Sequence, residues 1–274
     1  MLLCHGYYII YIFTPKLYYW LLYAVEIAAL KICDTITSPL REMSHYLVKR
    51  GVDPKKFVYI PNCIGLDNYS SKESSSYKEW LSRSASGFSD LALKSEKIKI
   101  VYAGALDRDN IIEPILERVA YAFSTHYSLH IIGKGVAKDR LLKKYGNFSN
   151  IFFYGMLKSE NVYHALKYAD VAYMGLSDKP EFKYGIALNK MYEYMRASLP
   201  IIFYTSILEN TVAFAQCGFV CDLRRDDSLD MALNTFSQLS PDEKAVLGRN
   251  GYSYLSKVHS YEVVKQQWSS LTEL

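Results

Sequence analysis

Cysteine is scarce in this chain and poorly spaced for chemistry. Cys4, Cys33, Cys63, Cys217 and Cys221 are five in number, contain no CxxC pair, and have no histidine close to Cys217 and Cys221. An odd, scattered set argues against a disulfide framework and against a zinc site, and points to reduced, mostly buried thiols in a cytoplasmic protein. Positive charge is also thin. The net charge is +4 without a long basic run, so nucleic acid is not an expected partner, while an anionic small molecule or an anionic membrane surface stays open. There is no phosphate-binding P-loop, no nucleophile elbow and no metal motif, and Gly133-Lys134-Gly135 lacks the third glycine and the acid of a dinucleotide fingerprint. Long apolar runs are missing too. The opening stretch "MLLCHGYYIIYIFTPKLYYWLLYAVEIAALKIC" is broken by His5, Pro15, Lys16 and Glu26, so neither half reaches the ~18 apolar residues of a spanning helix. It has neither the basic start nor the cleavage site of a signal peptide. A buried strand and a buried helix are the expectation there, with a membrane-lying segment as the alternative.

What is present is a rhythm. Half of the 274 residues are hydrophobic and 22% are charged, enough for a sizeable core, and the 25 tyrosines read as core and face packing. Residues 7–13 and 35–37 read as strands, 17–32 and 40–50 as helices, and "KKFVYIPN" as a further short strand. Ten serines between Ser70 and Ser95 mark a linker or insert over 68–97. From residue 98 strands alternate with helices, including helices over 111–126 and 207–218. Three more helices follow, over 226–239, 241–256 and 260–273. Short apolar runs alternating with helices predict an α/β fold with a doubly wound, mostly parallel sheet. Ligands of such sheets sit at the carboxyl ends of the strands, and those ends carry Gly104, Gly133, Gly135, Gly155, Gly175 and Gly185. Together the glycines favour close approach of backbone to a ligand; each alone is more simply a turn residue.

The stretch "YGIALNKMYEYM", Tyr184 to Met195, is the most specific. A helix beginning near Leu188 puts Asn189, Glu193 and Arg196 on one face and Leu188, Met191, Tyr192 and Met195 on the other. Tyr184, Gly185, Ile186 and Ala187 would offer free amides at its N-terminus, where phosphate oxygens bind well, and Lys190 adds a positive charge in the first turn. Glu193, one turn deeper, is placed to accept both hydroxyls of a ribose. A plain surface helix with an Asn-Glu-Arg stripe has the same spacing.

Residues 25–272 resemble a family-4 glycosyltransferase of the GT-B fold. The likeness is carried by "VEIAALKICDTITSPLREMSHYLVKRGVDPKKFVYIPNCI", "IVYAGAL", "LHIIGKG", "NIFFYGML", "VYHALKYADVAYMGL", "YGIALNKMYEYMRASLPII" and "GFVCDL" in that order. The form around Tyr184–Met195 is similar to a bacterial subgroup that builds surface polysaccharides. The resemblance implies a C-terminal Rossmann-like domain holding a UDP- or GDP-sugar donor, and a retaining transfer to a glycan or lipid-linked acceptor without a metal or other cofactor. Glu193 matches the second glutamate of the family's pair, the ribose ligand; the first would stand at Gly185, with Glu181 as a nearby substitute. The Arg and Lys that hold the donor diphosphate would stand at Ala105 and Asn110, so Arg108 or Lys190 is assigned that role. Gly155 and Met156 match the loop that meets the nucleobase, and Gly104 and Gly133 complete the donor-binding set. Glu193 and Lys190 are the residues expected to carry the reaction.

The organisation implied is a remnant of the acceptor domain over 1–67, the linker, a donor domain over 98–257, and a helix over 258–274 packing back on the N-terminal part. Roughly the last 65 residues of a full N-terminal domain would be present. A truncated or split donor-binding module that needs a separate N-terminal partner is therefore the alternative reading. Peripheral association with the inner face of a membrane stays open, and a sugar-nucleotide epimerase of similar fold fits the matched motifs less well.

Overall fold

The structure is a computed structural model that describes residues 16–66, 96–157 and 159–272. The strand expected over 7–13 and most of the serine-rich linker lie outside these residues. The first described segment runs α1 (Lys16–Ile32), β1 (Ile36–Ser38), α2 (Met43–Lys49) and β2 (Phe57–Tyr59). β1 and β2 form a two-stranded parallel sheet, with Ile36 opposite Phe57. The rest of the chain alternates strictly: β3 (Ile98–Ala103), α3 (Glu113–Ala120), β4 (Tyr127–Ile132), α4 (Lys138–Tyr145), β5 (Ile151–Gly155), α5 (Ser159–Leu166), β6 (Val171–Gly175), α6 (Asn189–Arg196), β7 (Ile201–Thr205), α7 (Thr211–Ala215) and β8 (Gly218–Asp222). Three helices close it: α8 (Ser228–Gln238), α9 (Pro241–Val258) and α10 (Tyr261–Thr272).

The six strands β3 to β8 make one parallel sheet in the order β5-β4-β3-β6-β7-β8. Every strand must bury both faces, and the alternation of side chains shows how. Ile100 and Tyr102 of β3 point into a core shared with α3, α4 and α8. Val101 and Ala103, their neighbours, point into a second core with α5, α6, α7 and α9. The strand order reverses between β3 and β6, which opens a crevice at the carboxyl ends of the strands. Polar residues inside the sheet are satisfied in place. His130 on β4 bonds Ser128 Oγ and Tyr154 Oη, both at 3.0 Å, and stacks on Phe152. Burial pushes the His130 imidazole down to about 3, so it is neutral.

Several expectations are corrected. The helix expected over 111–126 stops at Ala120, because the chain turns through 121–126 to enter β4, with Tyr121 exposed. The helix expected over 207–218 is only Thr211–Ala215. Asn210 caps it, its side chain accepting from the Val212 and Ala213 amides. Cys217 and Cys221 are buried, and burial pushes both thiols up to about 12, but Cys33 and Cys63 are exposed. α1 is not the buried helix expected: Trp20 is 63% and Ile32 80% exposed. Among the described residues no helix is long and apolar enough to cross a membrane.

The first segment is tied to the sheet domain by specific bonds. The Glu42 amide donates to Tyr184 O at 3.0 Å, and the Ile64 amide to His259 O at 2.9 Å. His259 Nδ1 lies 2.9 Å from Asn62 O, and Ile64 bridges Ser260 at the start of α10. The Arg41 guanidinium lies over the rings of Tyr59 and Phe214, 4.7 Å and 5.6 Å from their centroids, and reaches Tyr254 Oη at 3.3 Å.

Candidate functional site

A cleft of about 730 Å³ lies at the carboxyl ends of β3, β4 and β5. Its floor is the Gly104 turn, one wall is the Gly133-Lys134-Gly135 turn with Val136, and the other is the first two turns of α6, from which Lys190, Glu193 and Tyr194 face it. Met156 and Leu157, after β5, close the apolar end. Of the residues assigned from the sequence, Gly104, Gly133, Met156, Lys190 and Glu193 therefore border one cavity.

Glycine makes this geometry in a way the sequence does not reveal. A Cβ built on Gly133 would lie 1.9 Å from Gly104 O, so this glycine lets two strand ends pack backbone on backbone. Gly155 ends β5 with φ +77°. The position of α6 against β3 is fixed by Tyr194, fully buried, whose hydroxyl accepts from the Ala103 amide at 2.8 Å and donates to Ala103 O at 3.2 Å.

Lys190 projects from the first turn of α6 onto the face of Tyr102, 5.1 Å from the ring centroid, and its ammonium donates to Asn110 Oδ1. Asn110 is itself oriented by Asp107, whose Oδ1 accepts from the Asn110 amide at 2.8 Å and from Asn110 Nδ2 at 3.0 Å. Burial brings the Lys190 ammonium down to about 8, against the opposing pull of Asp107. Glu193 lies one turn deeper, half-buried, paired with Arg196 of the same helix. Its carboxyl is raised above the usual range by burial, with the Arg196 charge and hydrogen bond working against that rise.

Other assigned residues lie elsewhere. Tyr184 packs edge-on against Tyr46 at 5.3 Å, outside the cleft lining. The sequence implied a free amide at Gly185, but it donates to Phe182 O at 3.0 Å. Gly185 has φ +111°, and a Cβ there would lie 3.0 Å from the Arg41 amide nitrogen, so a glutamate at this position would be strained. Ile186 packs into the α6 core, and Ala187 is half-buried. Asn189 is exposed and its Oδ1 accepts from Asn62 Nδ2 at 3.4 Å. Arg108 and Glu181 are exposed and do not line the cleft. Arg196, which the alternative of a plain surface helix put on a solvent-facing stripe, is 6% exposed.

Lys134 lines the cleft although the sequence reading passed over it; its only signal was a cation inside a Gly-x-Gly turn after a buried strand. At the start of α6 the Met191 amide donates to Leu188 O at 3.0 Å, and of the first turn only Lys190 lines the cleft. Two lysines beside one carboxylate can bind an anionic group next to a polyhydroxyl group. No group of three or more His, Cys, Asp or Glu able to hold a metal occurs among the described residues.

Comparison with known proteins agrees with this architecture. Anabaena HepE, solved with UDP and glucose, superposes with a TM-score of 0.67 at 12% identity, covering 95% of this chain and 69% of that one. WaaG, a glycosyltransferase involved in lipopolysaccharide biosynthesis, gives 0.60 at 17% identity over 82% of this chain and 59% of its own. Sucrose-phosphate synthase from Thermosynechococcus elongatus gives 0.67 at 19% identity over 92% and 60%. At these identities the likeness establishes the GT-B Rossmann-like fold, and the chain spans less than two thirds of the length of the last two. No curated protein matches the chain. The family model described as "Glycosyl transferases group 1" matches residues 86–254, which contain the whole cleft. The chain thus belongs to the group 1 glycosyl transferases.

Proposed function

We propose that the cleft binds a nucleotide-sugar donor and that the protein transfers the sugar, with retention, to a glycan or lipid-linked acceptor in polysaccharide synthesis, as a family-4 enzyme. The observation that carries the reading is the shared placement of Lys190 and Glu193 on one helix bordering the switch-point cleft. A diphosphate between Lys190 and Lys134 leaves a ribose within reach of Glu193, and a base against Met156 and Leu157. Charge that grows on the departing diphosphate is met by those two cations, and the reading asks for no metal. Three neighbouring structures of one relative hold UDP, UDP with glucose, or UDP-glucose, which favours a uridine nucleotide as the first donor to try.

A second reading has its own support: the chain works as a donor-binding module with a separate N-terminal partner. Only a two-stranded sheet accompanies the donor domain among the described residues, and the chain spans 59–69% of the three structures compared above. Attachment to the inner face of a membrane is part of the first reading; Tyr18, Leu21, Val25 and Ile32 form an exposed apolar stripe on α1 consistent with it. A thermal-shift screen with UDP, GDP and their sugars, followed by an assay of donor hydrolysis and transfer, tests both. Stabilisation with transfer supports the enzyme, stabilisation without turnover supports the module, and no stabilisation by any nucleotide refutes the donor site.

A further inference from the structure

Glu193 borders the cleft, but the group behind it decides what it can do. Arg196 sits one turn further along α6, with its side chain 5% exposed, and its Nη2 donates to Glu193 Oε2. The same guanidinium lies over the Tyr163 ring of α5, 5.0 Å from the centroid, and its Nη1 reaches Gly65 O at 3.4 Å. Arg196 is thus held on three sides by separate parts of the chain: α6, α5, and the segment that leaves the N-terminal part. It does not line the cleft itself. A planar, permanently charged fork fixed in this way gives the carboxylate one orientation, whereas a half-buried glutamate alone tends to take up a proton.

We propose that Arg196 is a positioning residue that keeps Glu193 ionised and aimed into the cleft, so that the carboxylate can accept from the two hydroxyls of a ribose. The ribose role rests on the donor-binding reading above; the ionising role does not. Only an ionised carboxylate offers both oxygens as acceptors, and a protonated one spends one oxygen as a donor. Other charged groups nearby among the described residues are Lys190 on its own helix and Lys134 from the turn after β4, both bordering the cleft, Asp107, which acts on Lys190, and Lys167 just after α5, whose ammonium lies over the Tyr163 ring at 4.9 Å. Tyr163 lies beneath the guanidinium and supplies a ring face without a charge. Of these groups, only Arg196 is bonded to the carboxylate. Burial raises the Glu193 carboxyl and Arg196 opposes the rise, in keeping with the geometry.

The test follows the Glu193 carboxyl by carbon-13 NMR through a pH titration, using protein labelled at glutamate and Glu193→Gln to assign the signal. Arg196→Met and the more conservative Arg196→Gln are compared with wild type. Either substitution is expected to move the Glu193 midpoint up by about 1–3 pH units, and Arg196→Lys to keep it close to the wild-type value. UDP affinity of the Arg196→Gln protein should then rise with pH across the new midpoint, while that of Glu193→Gln stays low at every pH. A merely structural arginine would lower the melting temperature and leave the midpoint where it is. An unchanged midpoint in a folded Arg196→Gln protein overturns the proposal. Wild type that binds no nucleotide, with the midpoint shifted as expected, upholds the ionising role and sinks the donor-binding reading instead.

Discussion

The ammonium of Lys190 on α6 donates to the side-chain oxygen of Asn110, in the loop after β3, and thereby brings a positive charge to the floor of the cleft from the opposite wall. Replacing Lys190 by methionine keeps the packing on Tyr102 and removes the charge. A charge-assisted bond to a phosphate contributes about 1.5–3 kcal/mol, so UDP affinity should fall roughly 10- to 100-fold. Titration calorimetry measures it.

The same lysine sets two pH dependences of opposite direction. Its folded value is about 8, below the ~10.4 of an unfolded lysine. Between these values the unfolded chain holds more protons, so stability to urea should rise as pH increases from about 8 to about 10. Nucleotide affinity should fall over the same range as the ammonium loses its proton. Both trends should vanish in Lys190→Met; an affinity that stays flat from pH 7 to 9.5 in wild type would remove Lys190 from the diphosphate site.

Gly185 cannot be replaced without strain. With φ +111° and the Arg41 amide nitrogen 3.0 Å from any added Cβ, Gly185→Ala should destabilise the fold by about 1–3 kcal/mol in a urea titration. Gly185→Glu should be no better, and should not improve donor affinity. A stable Gly185→Glu protein with tighter UDP binding would show that the backbone yields more easily than its packing implies.

Tyr194→Phe tests how α6 is held. Loss of the hydroxyl leaves the buried Ala103 amide without that acceptor, at a cost of about 1–3 kcal/mol, and loosens the helix that carries Lys190 and Glu193. Reduced stability together with weaker UDP binding is expected. An unchanged affinity would mean that the helix is fixed by its apolar face alone.

His130, which does not line the cleft, gives an acid-side signature. Its folded value of about 3 lies below the ~6.5 of an unfolded histidine, so the unfolded chain binds more protons between the two. The stability this group contributes is complete above about pH 6.5 and is lost as pH falls toward 3. His130→Leu should therefore flatten the acid limb of a stability–pH profile; an identical limb would show that the imidazole is charged in the fold.

Local chemistry explains which features were legible in the sequence. The alternation from Ile98 to Asp222 was readable because both faces of each strand are covered, which demands short continuous apolar runs between helices. The start of α6 at Asn189 was readable from its apolar face. The Asn210 cap was written in the sequence too, and would have shortened the helix expected over 207–218. The burial of Arg196 was not legible, because its cover comes from Tyr163 and Gly65, distant along the chain, and helical spacing places it beside exposed Asn189. Gly133 was read for a ligand's approach, but its missing side chain makes room for Gly104. The exposure of α1 was hidden for the reverse reason: an apolar helix reads as buried whether or not a neighbour covers it.

The central claim is that Glu193 receives the ribose of a donor nucleotide. Titration calorimetry of wild type and Glu193→Ala with UDP and with GDP addresses it most directly. Loss of two charge-assisted hydroxyl bonds should weaken the preferred nucleotide by about 1.5–3 kcal/mol or more, roughly 10- to 100-fold in dissociation constant, with the fold intact by circular dichroism. Equal affinity of the two proteins for that nucleotide would contradict the assignment.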